Sequence, residues 1–349
     1  MLKRAIVLMM ALLMVAVMFI GCAPAEGEPA AADDAAADDA AADDAAADKD
    51  LTFGYIWYDS EDEWNQYDFY CFEDAANKKG VKVVDIDPKA DGAAALDAVQ
   101  DLITQEVDGI SVFTITPELD VQIAKLANEA GIPITFENSL PAEGDIDYIS
   151  CVACNYDDIG YAVGEFISKE WPGSKVFYAM GAFGMGIVEL YVEGYEQAIE
   201  DNGNAFETVG ESETDWMSGM GMTVTQDFIQ SGTEFDVVFA NSEQIAVGVL
   251  NALKEAGMEN DVKIITTGGG PNGVEMLKNG EVQATATAPV SIQGYMTFKN
   301  LWTYVNGNPN PNKFDPLPII VVTSDNIEDV ISWEPSQAAI DYIGGLDEW

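Results

Sequence analysis

The chain has no histidine, and its 349 residues include a single arginine, Arg4. Without histidine there is no side chain that ordinarily titrates near neutrality, and the commonest nitrogen ligand for zinc is missing. Without arginine beyond residue 4 there is no planar, bidentate clamp for a carboxylate or a phosphate. Cationic charge is scarce in general: Lys and Arg total 15 against 61 Asp and Glu, a formal net charge of −46. A field of that sign repels nucleic acid and anionic lipid headgroups, so neither is expected as a partner. It suits a solvated, salt-tolerant surface or, alternatively, a preference for cationic solutes. Cysteine is scarce too, with four in all. Cys151 and Cys154 are spaced as a CxxC pair but fall in an expected strand, where three residues span roughly 10 Å. A disulfide needs its Cα atoms within about 7 Å. Both are therefore read as small buried residues, and no zinc site is expected. The acidic loop 59–63 lacks the spacing of a calcium-binding helix–loop–helix. No metal or cofactor is expected, and no nucleophile–base–orienter set is visible, so the chain reads as a non-enzyme.

Long apolar runs are confined to the start. Lys3 and Arg4 precede an apolar stretch, 6–20, that is short for a membrane span and suits a signal-peptide core. It ends in Phe19-Ile20-Gly21-Cys22, which resembles a lipobox with Cys22 as the lipidated residue. Cys22 is expected to anchor the protein to a membrane, with the rest of the chain extracytoplasmic. Without Lys3 and Arg4 the chain carries 13 lysines against the same 61 acids, a formal −48. Residues 23–50 hold an Ala-Ala-Ala-Asp-Asp repeat with little to bury, which predicts a disordered tether.

From Leu51 short apolar runs alternate with longer amphipathic ones. Strands are expected at 52–58, 81–86, 109–113 and 132–136, with helices at 64–79, 93–105 and 119–130. The rhythm resumes with strands at 175–179, 206–210, 236–240 and 263–267. Helices are expected there at 187–201, 220–230, 243–256 and 273–278. Such alternation predicts an α/β fold of parallel sheets covered on both faces by helices. Its length suits two doubly wound lobes. The rhythm breaks at 148–154, 285–289 and 307–318, which predicts three crossovers forming a hinge beside a cleft. The expected boundaries are 1–22 signal peptide, 23–50 linker, 51–153 with 289–317 first lobe, and 154–288 with 318–349 second lobe.

Several segments carry a resemblance, in order. They are Gly109-Ile110-Ser111-Val112-Phe113 with Ile115-Thr116-Pro117, Ala130-Gly131-Ile132-Pro133-Ile134, Asp157-Asp158-Ile159-Gly160, Glu193-Gly194-Tyr195, and Phe239-Ala240-Asn241-Ser242-Glu243-Gln244. Together they resemble the ribose-type, or type I, periplasmic binding proteins of sugar ABC transporters. The resemblance implies two similar lobes joined by three hinge strands that close over one small solute, and docking onto a membrane permease. The chain is expected to be a monomer. A second reading keeps the fold but makes the chain a chemosensory subunit acting with a sensor kinase.

Ligands of open α/β sheets sit beyond the C-terminal ends of strands. That rule selects Asp59, Asp62, Trp64 and Asn65 after the first strand and Glu137 and Asn138 after the fourth. In the second lobe it selects the glycine-rich loop 181–186 with Phe183, then Asn241, and then Gly268 and Gly269, whose backbone amides could donate. By likeness to the family, Trp64 and Trp216 stand where stacking aromatics occur, and Glu189 stands where an arginine is common. Asn138-Ser139 replaces the family's Asp-Arg, and Ala288 stands where ribose binders carry Gln. The expected solute is therefore small and hydroxylated but not ribose itself: another sugar or polyol, a furanosyl signalling molecule, a nucleoside, or a small cation.

Overall fold

The computed structural model describes residues 50–184 and 186–348. The expected leader, Cys22 and the tether through residue 49 lie outside the described residues. The described residues build two six-stranded sheets. The first contains β1 (Thr52–Ile56), β2 (Lys82–Ile86), β3 (Gly109–Phe113), β4 (Ile134–Glu137), β5 (Cys151–Ala153) and β11 (Phe314–Pro316). Its order is β11-β5-β4-β3-β1-β2, parallel throughout. The second contains β6 (Lys175–Met180), β7 (Glu207–Glu213), β8 (Val237–Ala240), β9 (Lys263–Gly268), β10 (Ala284–Thr287) and β12 (Ile320–Val322). Its order is β12-β10-β9-β8-β6-β7, and only β12 runs antiparallel. Strands β3, β4 and β8 are buried along their whole length, as parallel strands covered on both faces must be.

Helices start and stop where local chemistry dictates. Asp62 caps α1 (Glu63–Lys79) by accepting from the Asn65 amide at 2.8 Å, and Asp91 caps α2 (Gly92–Thr104) through the Ala94 amide at 2.8 Å. Ser242 caps α7 (Glu243–Ala256), and left-handed Gly80 and Gly257 end α1 and α7. Also in place are α3 (Pro117–Ala130), α4 (Tyr156–Glu170), α5 (Ile187–Asp201), α6 (Ser218–Ser231), α8 (Pro271–Lys278), α9 (Val290–Val305) and α10 (Gln337–Tyr342). Helices α4 and α5 cross very closely: a Cβ on Gly194 would lie 1.8 Å from the Asp157 carbonyl oxygen, and one on Gly160 would lie 2.1 Å from that of Tyr191.

The chain passes between the sheets three times: β5 to α4, β10 to α9, and β11 to β12. Helix α9 packs on α1, β3, β4 and β5 of the first sheet, whereas α4 packs on α5, β10 and β12 of the second. One boundary differs from expectation. The sequence places residues 318–349 in the second lobe, but α10 packs on α9, and the Lys299 ammonium donates to the Ile343 carbonyl at 2.7 Å. The last segment thus returns to the first lobe, because its apolar Ala339, Ile340 and Leu346 need a core to enter.

Candidate functional site

In each sheet the parallel strands present their C-terminal ends on one edge. The loops leaving these edges meet around a cavity of about 470 Å³, lined from both lobes. That volume lies within the range of small-molecule sites. Tyr58, Asp62 and Trp64 come from β1 and the head of α1, Phe113 from β3, and Asn138 from beyond β4. Trp216 and Asn241 follow β7 and β8, and Gly268 ends β9.

Trp216 is held at a cost. Asp215 and Trp216 are both left-handed, with φ of 49° and 63°. Non-glycine residues in that region cost on the order of 1–3 kcal/mol each and persist only where the surroundings over-determine them. Here the Thr214 amide and hydroxyl both donate to the Met180 carbonyl, at 2.9 and 2.6 Å. The indole then lies flat on Gly181, where a Cβ would come within 2.2 Å of it. Asn241 fixes that glycine: its Oδ1 accepts from the Gly181 amide at 3.1 Å while its Nδ2 donates to the Tyr178 hydroxyl at 2.9 Å. With both ends engaged, Asn241 positions the Trp216 platform.

On the other side, the Trp64 and Trp333 rings meet edge to face, with centroids 5.0 Å apart and planes at 77°. The Trp333 indole N–H donates to the Gly268 carbonyl at 3.3 Å, so this residue of the returning segment joins α1 to the end of β9. The Trp64 indole N–H is shielded and has no acceptor among the described residues. Other contacts bridge the halves. The Tyr156 hydroxyl donates to Asn138 Oδ1 at 2.8 Å. Glu63 Oε2 accepts from Gln244 Nε2 at 3.3 Å and from Asn272 Nδ2 at 3.4 Å.

The electrostatics of the wall are one-sided. Glu61, Asp62, Glu63 and Glu243 line the cavity, and no Lys does. Burial pushes the Glu243 carboxyl up to about 7, against the pull of the Gly273, Gly270 and Gly269 amides. Those amides belong to the turn and first residues of α8; Gly270 donates to Oε1 at 2.6 Å and Gly273 to Oε2 at 2.9 Å. Asp62 keeps surface open to the cleft, but the surrounding lobes thin its hydration, and that desolvation raises its pKa although the Asn65 amide opposes the shift. Among the described residues no group of three or more His, Cys, Asp or Glu is placed to hold a metal, and Cys71, Cys151 and Cys154 are free and buried.

Of the residues selected from sequence, Asp62, Trp64, Asn138, Trp216, Asn241 and Gly268 stand around the cavity. Six others do not. Asn65 is fully buried, and its Oδ1 accepts from the Tyr58 and Asp59 amides at 2.9 and 3.0 Å, shaping the loop rather than facing the cleft. Asp59 accepts from the Glu61 amide within that turn. Glu137 points into the first lobe, where it bonds to the Ser111 hydroxyl. Phe183 is 44% exposed on the glycine-rich loop. Glu189 accepts from the Gly184 amide at 2.8 Å and tethers that loop. Gly269 packs against Thr287. Sequence reasoning missed Tyr58, Glu61, Glu63, Tyr156, Tyr191, Glu243 and Trp333. Glu63 and Glu243 open helices directly after selected loops, so the same strand-end rule could have found them. Trp333 lies beyond the repeating pattern and carried no such signal.

The comparisons agree with this architecture. A family model described as a periplasmic binding protein domain matches residues 53–309. The ribose import binding protein of Salmonella typhimurium is 29% identical over 214 residues, covering 60% of this chain and 70% of its own. The galactofuranose-binding protein of Escherichia coli is 23% identical over 271 residues, covering 75% and 85%. Among solved structures, an ABC-transporter periplasmic solute-binding protein from Actinobacillus succinogenes with bound D-allose superposes with a TM-score of 0.75 at 17% identity. It covers 80% of this chain and 99% of its own. With a family model spanning most of its length and the two parallel-sheet lobes in place, the chain belongs to the periplasmic binding protein family and has its type I fold.

Proposed function

We propose that the protein is an extracytoplasmic solute-binding lipoprotein. It would capture a small, hydroxylated, sugar-like solute by closing its two lobes and deliver it to the permease of an ABC importer. One observation carries this reading: the cavity lies where the strand ends of both sheets converge, so any occupant touches both lobes at once. Such an occupant binds the closed arrangement better than the open one, and that difference is what drives closure. The walls suit a sugar. Flat indole faces at Trp64 and Trp216 take the C–H side of a ring, and the unpaired Trp64 N–H can donate to a hydroxyl oxygen. The relatives named for ribose and galactofuranose support the same solute class. Anchoring would come from Cys22, with the Ala/Asp tether holding the lobes off the membrane. The reading is of a carrier that performs no chemistry on its solute.

A thermal-shift screen of monosaccharides, polyols and nucleosides tests the reading. At a free concentration about 100 times Kd, binding adds about 2.7 kcal/mol to native stability. For lobes of this size that is a rise of several degrees in Tm. Trp216→Ala is expected to abolish the shift produced by the best solute. A full shift in that variant would show that the solute sits elsewhere, and no shift with any solute would contradict the function itself.

A further inference from the structure

The reading of the cleft as a solute site leaves the charge of the solute open, and the wall bears on it. Glu61, Asp62 and Glu63 follow one another into the head of α1, and all three line the cavity. Their situation differs from that of Glu243, whose two oxygens are met by the Gly270 and Gly273 amides. Asp62 accepts one backbone amide as a helix cap. Glu63 accepts only from the neutral amides of Gln244 and Asn272, at 3.3 and 3.4 Å. Among the described residues no ion pair reaches any of the three; Lys78, Lys79, Lys89, Lys169, Lys175, Lys254 and Lys313 pair with carboxylates outside the cavity.

Closing this cleft on a neutral ring would take water from carboxylates and return no opposite charge, which is costly. A cation restores the balance. The same wall supplies aromatic faces at Tyr58, Trp64, Trp216 and Trp333, and the negative face of an aromatic ring attracts cations as well as C–H groups. Carboxylates without a cationic partner among the described residues, together with aromatic rings around one volume, form a receptor for an organic cation with an apolar ring face. We propose that the cleft selects a hydroxylated solute bearing a protonated amine, of the amino-sugar or amino-cyclitol class. Its ammonium group sits against Asp62 and Glu63, and its ring lies between the indoles. The inference rests on the reading of the cleft as a solute site.

The test compares matched pairs by titration calorimetry on the full chain, at slightly acidic pH where the amines are protonated. The pairs are D-glucosamine with D-glucose, D-galactosamine with D-galactose, and scyllo-inosamine with scyllo-inositol, together with the N-acetyl form of each amine. In the best-bound pair the amine is expected to bind at least about tenfold tighter than its parent, about 1.4 kcal/mol. N-acetylation, which removes the charge, is expected to erase that advantage. The double variant Asp62→Asn, Glu63→Gln should lose the difference between amine and parent. Asn retains the helix cap, and the melting temperature of the free variant verifies folding. A parent sugar or cyclitol that binds as tightly as its amine overturns the cationic preference and leaves the solute-binding reading standing. No binding by any amine or any parent overturns both.

Discussion

Asp68 and Glu137 interact inside the first lobe, where Tyr55 donates to Asp68 at 2.6 Å and Ser111 bonds to Glu137, while the second oxygen of each carboxyl is buried without a hydrogen-bond partner among the described residues. Among the described residues no cation pairs with either, and burial raises both: Asp68 to about 6, and Glu137 well above its usual range, helped by the Asp68 charge. Asp120, buried beside Thr114 and Ser139, is raised to about 7 for the same reason. Groups raised in the folded state hold protons that the unfolded chain releases. Their contribution is therefore complete below about pH 4, the unfolded value, and is lost as the pH climbs through about 6 to 7. The free protein is expected to unfold at a higher temperature at pH 5 than at pH 8. Glu137→Gln keeps a hydrogen-bonding side chain and removes one titration, so it should flatten that profile and stabilise the fold at pH 8 by roughly 1 kcal/mol or more. A Tm that rises from pH 5 to pH 8, or a Glu137→Gln profile as steep as the parent's, would show that the pair does not hold a proton. Glu137 also marks a limit of sequence reasoning. The strand-end rule finds the right loop, but whether a side chain at the last strand position faces the cleft or the core depends on the pleat. Asn65 failed for a related reason: an Asn just inside a helix can fold back on the preceding loop, and here it does.

At the level of elements, the close crossing of α4 and α5 depends on absent side chains. A methyl at position 194 would overlap the Asp157 carbonyl, so Gly194→Ala must push the helices apart. The cost is expected to be about 1–3 kcal/mol, as for other over-packed contacts. It is measurable as a lowered midpoint in urea, and an unchanged midpoint would contradict the tight crossing. The elements themselves were legible because parallel strands covered on both faces read as short, unbroken apolar runs bounded by turns. Strands β1, β3, β6, β8 and β9 fall within two residues of their expected limits. The returning segment was not legible. Trp333 and α10 have no β–α rhythm, and their place against α9 and Gly268 follows from tertiary contacts alone. Trp64 could be read from its position after a strand and Trp216 from its likeness to the family, whereas Trp333, which completes the aromatic wall, could not.

At the scale of the molecule, the three crossings between the sheets, the return of the last segment from β12 to the first lobe, and the contacts at Glu63, Asn138 and Trp333 link the halves around the cavity. Few of these contacts are strong. The two to Glu63 are 3.3 and 3.4 Å long, between neutral amides and a partly solvated carboxylate. Without an occupant, the acidic wall works against closure, since the charge of Glu63 at the head of α1 disfavours that of Glu243 across the cleft. An occupant that touches both walls reverses that balance. Small-angle scattering with and without the solute that gives the greatest thermal shift measures this directly. The account predicts a smaller radius of gyration at saturation, with the Trp216→Ala variant unchanged under the same conditions. A saturating solute that leaves the radius of gyration of the parent protein unaltered would contradict capture by closure of the two lobes.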